Sequence, residues 1–159
     1  MEIYLLRHGI AEDGQPGRPD SDRALTSEGR EKLRRVLKRA AGAGVSPSLI
    51  LSSPYRRAIE TAEIAADVLE YKGKIVRTPA LTPDTSPRDT WQEIRSRQTE
   101  EAVLLASHEP LTSALVAFLL GNPAMQVDVK KGALLRLDCD RLAAEPRCVL
   151  KWMLTPALA

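Results

Sequence analysis

Short apolar runs alternate with amphipathic stretches along the whole chain. Ile3 to Leu6 is apolar without interruption and reads as a buried strand, with turn-prone sequence from Gly14 to Asp22 behind it. From Thr26 to Ala41, Leu33, Val36, Leu37 and Ala40 recur at helical spacing, and Gly42 and Gly44 end that pattern. Leu49 to Leu51 is a second short strand. Ser53-Pro54 then reads as N-cap and first helical residue of a helix reaching about Leu69, with Ala58, Ala62, Ala65 and Leu69 on one face. Lys74 to Val76 is a weaker third strand, followed by a Pro- and Thr-rich connection from Thr78 to Pro87. Ser86-Pro87-Arg88-Asp89 resembles a capping box and predicts a short helix with Trp91 and Ile94 inward. Ala102 to Ala106 is a further strand, running into Ser107-His108. Pro110 to Leu120 reads as a buried helix stopped by Gly121-Asn122-Pro123. Ala133 to Leu137 and Cys148 to Met153 are two last strands joined by a polar turn.

This alternation predicts an α/β fold, a three-layer α/β/α sandwich with a mostly parallel central sheet and an antiparallel pair at one edge. With 159 residues and no repeat, linker or low-complexity stretch, one domain spanning 1–159 is expected. Lys and Arg number 23 against 21 Asp and Glu, interleaved along the chain, which argues against a general nucleic-acid binder. The first helix carries Arg30, Lys32, Arg34, Arg35, Lys38 and Arg39 on its polar face. A solvated surface is the ordinary reading of such a face, and docking of an acidic partner the alternative. The N-terminus lacks the pattern of a signal peptide and no apolar run is of membrane-spanning length, so a cytoplasmic monomer is expected. Cys139 and Cys148 have no metal-ligand spacing. They read as small hydrophobes near a strand pair, with a disulfide as the alternative.

The chemistry-bearing residues cluster where apolar runs stop. The first strand ends in Arg7-His8-Gly9, the second in Ser52-Ser53-Pro54-Tyr55-Arg56-Arg57, and the strand from Ala102 in Ser107-His108-Glu109-Pro110. Open α/β sheets bind ligands at the carboxyl ends of their strands. The chain has 2 histidines, each at such an end, beside arginines whose planar fork matches phosphate oxygens. Imidazole can act as a nucleophile, and Gly9 would let backbone and ligand approach. Structural histidines remain the competing reading. A metal site drawing on Glu109 or Asp84 fits less well, because no carboxylate cluster accompanies the histidines.

Leu6-Arg7-His8-Gly9 resembles the signature of the histidine phosphatase superfamily, the phosphoglycerate-mutase-like proteins. Leu25-Thr26-Ser27-Glu28-Gly29, the segment Ser53 to Thr61, and Ser107-His108-Glu109-Pro110 resemble its further motifs, in order and at similar spacing. Leu81-Thr82-Pro83 and Trp152 to Pro156 resemble stretches of the short bacterial phosphohistidine phosphatases of the SixA type. The resemblance implies that His8 attacks phosphorus and carries a transient phosphoryl group. It implies that Arg7, Arg57 and His108 bind the phosphoryl oxygens, with Gly9, Arg23 and Ser53 as further substrate contacts. Ser53 would be mainly a helix cap, Arg56 exposed, and Glu60, where the family has glutamine, a change on the helix surface. No metal or organic cofactor is implied.

Larger relatives carry a glutamate, in a leucine-x-glutamate segment after the third strand, that protonates a leaving alkoxide. Here that place reads Leu81-Thr82-Pro83, and Asp84 or Glu12 are the remaining candidates for a proton donor. An alkoxide benefits from such a proton. Phosphohistidine leaves as neutral imidazole when its other ring nitrogen is protonated, so the missing acid favours it as substrate. The resemblance suggests as partner a phosphotransfer domain of a histidine-kinase relay or a sugar-phosphotransferase carrier. A phosphomonoesterase acting on a small metabolite and a non-catalytic phosphoprotein-binding module are the alternatives.

Overall fold

The computed structural model describes residues 1–159. Six strands form one sheet: β1 (Glu2–Arg7), β2 (Leu49–Ser52), β3 (Ile75–Arg77), β4 (Ala102–Ser107), β5 (Leu134–Asp138) and β6 (Val149–Leu154), in the order β3-β2-β4-β1-β5-β6. The first four run parallel; β5 pairs antiparallel with β1, and β6 with β5. Four helices connect them: α1 (Ser27–Gly42), α2 (Arg56–Val68), α3 (Pro87–Arg95) and α4 (Leu111–Leu119). The antiparallel pair therefore forms one edge, as the polar turn between the last two apolar runs predicts.

Successive strand residues point to opposite faces of a sheet, which explains why the strands are apolar throughout. Ile3 and Leu5 pack with Leu105, Trp91, Ile94 and Leu115 on the α3–α4 side. Tyr4 and Leu6 pack with Leu104, Leu33, Leu37 and Ala65 on the α1–α2 side. Each face thus needs its own helical layer, and the three-layer sandwich follows. Ser86 accepts the Asp89 N–H at 3.2 Å, so the short helix is capped as its sequence suggests.

Two local expectations are corrected. α2 does not begin at Ser53-Pro54: its N-cap is Tyr55 and its first residue Arg56. The Ser53 N–H instead extends the sheet, donating to Ala106 O at 3.0 Å. Glu60 is not on the helix surface. It is 9% exposed, accepts from Arg30, from Arg56 Nε at 3.2 Å and from the Leu25 N–H at 3.4 Å, and so ties α2 to α1. Cys139 lies just past β5 and Cys148 just before β6, beside the Asp138–Val149 pair that ends the ladder, and both are buried free thiols. No helix is long and apolar enough to cross a membrane.

Candidate active site

The parallel register brings three strand ends level. Arg7 pairs with Ser107 across β1–β4, and Ser52 with Ala106 across β2–β4. The residues that follow, His8, Ser53 and His108, therefore emerge side by side. The His8 N–H donates to Ser107 O at 2.9 Å, and Gly132 returns from before β5 to donate to His8 O at 3.0 Å. Gly9 permits a close approach. A Cβ there would stand 2.7 Å from Leu33 Cδ1 and 3.2 Å from Gly29 O, so its absence lets α1 press against the end of β1. The Gly9 N–H donates to Thr61 Oγ1 at 3.2 Å, and the Thr61 hydroxyl donates to Arg57 O at 2.7 Å, so α2 is held there too.

His8 is oriented by its neighbour's backbone. Its Nδ1 lies 2.7 Å from Gly9 O, and a carbonyl only accepts, so Nδ1 carries the proton and the lone pair lies on Nε2. Arg57 Nε–H faces that lone pair at 3.4 Å. Burial first, and then the charges of Arg57, Arg7 and Lys131, push the His8 pKa down to about 4, against the pull of the Gly9 carbonyl. The ring is neutral at ordinary pH.

His108 stands 5.1 Å from His8, centroid to centroid, and its Nε2 is 2.8 Å from Ser53 Oγ. Ser53 Oγ also accepts the Tyr55 N–H at 3.3 Å. Where the Ser53 hydroxyl donates to Nε2, the His108 proton sits on Nδ1. Burial, with the charges of His8 and Arg57, lowers its pKa to about 3. His108 Nδ1 and Arg7 Nε are buried and have no hydrogen-bond partner. Buried polar atoms are rarely left unpaired, and two donors beside a histidine lone pair fit an anionic ligand. Arg7 is steadied by Nη1, which donates to Val129 O at 2.7 Å.

Arg57 is 4% exposed. Its Nη1 donates to Asp20 O at 2.8 Å and its Nη2 to Asp20 Oδ2 at 3.0 Å. Arg23 reaches this group only through Asp20, donating from Nε to Oδ1 at 2.8 Å, while its Nη1 donates to Glu12 O at 2.9 Å. Partial burial opposes it, but the bonds from Arg57 and Arg23 hold the Asp20 carboxyl below its usual range. Tyr55 stacks edge-on against His108 at 5.0 Å and lies under the Arg57 guanidinium at 5.1 Å. Asp20 and Tyr55 escape sequence reasoning. The only signal for Asp20 is an acid three residues before Arg23 in a turn-prone stretch.

The carboxyls of Asp84 and Glu12 are not bonded to His8, His108, Arg7 or Arg57. Asp84 Oδ1 accepts the Thr82 hydroxyl at 2.9 Å, and Glu12 Oε2 accepts the Ala24 N–H at 3.4 Å. Glu109 accepts the Ser113 N–H at 2.8 Å at the start of α4. The histidines are flanked by arginines, and no three His, Cys, Asp or Glu side chains gather as a metal-ligand set. Beyond Arg7 lies a cleft of about 570 Å³ lined by Arg7, Lys32, Lys130, Lys131 and Pro156.

The family model of the histidine phosphatase superfamily (branch 1) matches residues 3–82. The phosphohistidine phosphatase SixA of Escherichia coli K12 is 31% identical over 121 residues, covering 75% of this chain and 74% of its own length. A structure of the protein histidine phosphatase SixA bound to tungstate superposes with a TM-score of 0.86 at 27% identity, covering 99% of this chain and 98% of that one. A mycobacterial glucosyl-3-phosphoglycerate phosphatase shares the fold, with a TM-score of 0.71 at 18% identity over 94% of this chain and 96% of its own.

Proposed function

Because the chain belongs to the histidine phosphatase superfamily, we propose that it hydrolyses phosphohistidine on a partner protein through a covalent phosphoryl intermediate on His8. The observation that carries this reading is the His8 ring itself. Its Nδ1 proton is fixed by Gly9 O at 2.7 Å, and its Nε2 lone pair faces Arg57 at 3.4 Å. Such a group is a neutral nucleophile aimed into a cationic pocket. In the first step His8 Nε2 forms a bond to phosphorus as the P–N bond of the substrate breaks. The departing imidazole keeps the proton on its other nitrogen and leaves uncharged. Water then attacks phosphorus, the P–Nε2 bond breaks, and inorganic phosphate is released.

The roles of the neighbours follow from charge. A transferring phosphoryl group spreads negative charge over its oxygens, and fixed donors stabilise it. Arg7, Arg57 and His108 supply them, with His108 Nδ1 free for the phosphoryl group while Ser53 engages Nε2. No step needs a metal or an organic cofactor. Neither the Asp84 nor the Glu12 carboxyl is bonded to the histidines or arginines of the pocket, which supports a leaving group that needs no enzyme acid. A SixA structure that binds tungstate, a tetrahedral oxyanion, supports phosphate as the group this fold takes. Arg7 also lines the lysine-bearing cleft, which supports access by a phosphohistidine displayed on a protein. The partner class is a phosphotransfer domain or a sugar-phosphotransferase carrier, met by a cytoplasmic monomer.

The test is phosphate release from a phosphohistidine protein and from a panel of phosphomonoesters, with a chelator present, for the wild type and His8→Ala. Fast release from phosphohistidine, weak ester hydrolysis and loss of both in the variant are expected. Preferential ester hydrolysis would replace this reading with a metabolite phosphatase, and no turnover of either with a binding module.

A further inference from the structure

Arg57 is the most buried arginine of the site, and two of its three nitrogens bond to one residue, Asp20, at 2.8 and 3.0 Å. A guanidinium can meet an anion end-on through both Nη atoms or side-on through Nε and one Nη. Asp20 takes the end-on edge. What remains is the side-on edge, and its Nε faces His8 Nε2 at 3.4 Å. The second Asp20 oxygen takes Arg23 Nε at 2.8 Å, so one carboxylate bridges two cations.

Building on the phosphatase reading, we propose that Asp20 is a positioning residue that turns the side-on edge of Arg57 toward His8 and competes with phosphate for the same guanidinium. The two effects oppose each other in a measurable way. An orienting carboxylate speeds transfer, because a phosphoryl group must meet its donors in a fixed geometry. The same negative charge beside the pocket weakens resting affinity for any anion. Asp20 therefore trades phosphate affinity for turnover and limits inhibition by product. Loss of a merely structural side chain would lower affinity and turnover together, or change neither. Asp20 is 58% exposed on a surface segment, so substitution there leaves the core intact.

The experiment uses the whole chain and the variants Asp20→Asn and Asp20→Glu. Binding of inorganic phosphate is followed by titration calorimetry, and turnover by phosphate release from phosphoramidate, a small P–N donor. Asp20→Asn is expected to bind phosphate about threefold to tenfold tighter while kcat falls about tenfold or more. Asp20→Glu, which restores the charge, is expected to recover most of both. Phosphate affinity that is unchanged or weaker in Asp20→Asn overturns the proposal, as does an unchanged kcat. A wild type inert toward both phosphoramidate and a phosphohistidine protein overturns the phosphatase reading instead, and the phosphate titration still decides whether Asp20 competes for Arg57.

Discussion

Ser53 Oγ lies 2.8 Å from His108 Nε2, although the two residues are 55 positions apart. The contact exists because β2 and β4 are parallel neighbours in register, so that their ends project together. It engages His108 Nε2 and leaves Nδ1 without a partner. Ser53→Ala is expected to free the ring and lower kcat/KM by about tenfold, in line with other partners that orient a working histidine. Steady-state kinetics read the loss, and nitrogen NMR of the imidazole reads the tautomer. Unchanged values in both would show that Ser53 holds nothing that matters.

Acidification has a definite sign. The His8 and His108 pKa values in the fold are about 4 and about 3, below the ordinary 6.5, chiefly through burial. Between those values the unfolded chain binds protons that the native chain refuses. The contribution of each histidine is therefore at full strength above pH 6.5 and is lost as pH falls toward 4 and 3. Urea unfolding at pH 7 and 5 is expected to show lower stability at pH 5, with the difference smaller in His8→Asn. An NMR titration placing His8 near 6.5 would contradict this account.

Gly9→Ala tests the contact between α1 and the end of β1. The added methyl would meet Leu33 Cδ1 at 2.7 Å and Gly29 O at 3.2 Å. Overpacking of that kind costs about 1–3 kcal/mol. Denaturant unfolding measures it, and a second change, Leu33→Ala, would relieve the 2.7 Å contact and leave the tight one with the Gly29 backbone at 3.2 Å.

Glu60 supplies a test away from the reacting group. It is buried and bonded to Arg30, Arg56 and the Leu25 N–H. Both arginines are about half exposed, so their pairing with Glu60 is partly screened by solvent. Glu60→Ala is expected to cost about 1–3 kcal/mol, mostly from the unpaired Leu25 donor and lost packing rather than from the ion pairs. Denaturant unfolding reads the loss, with phosphate release little changed.

The sheet and the helical layers are legible because each apolar run stops abruptly at a polar residue, and because Leu33, Val36, Leu37 and Ala40 keep strict helical spacing. The histidine pair is legible for the same reason, lying just past the ends of β1 and β4. Contacts made by tertiary pairing are not. Ser53 looks like a helix cap until its hydroxyl is seen engaged with His108. Glu60 looks like surface because nothing local reveals Arg30, 30 positions away. Asp20 sits in an exposed, turn-rich stretch, and its bonds to Arg57 span 37 positions.

The central claim is a phosphoryl group carried by His8 Nε2. The direct measurement is rapid quench of the enzyme under alkaline conditions during turnover of a phosphohistidine protein, followed by phosphopeptide mapping. An acid-labile, base-stable phosphoryl group on the peptide containing His8, absent from His8→Ala, is the predicted result. Full turnover with no phosphoryl group on that peptide, or turnover retained in His8→Ala, would contradict it.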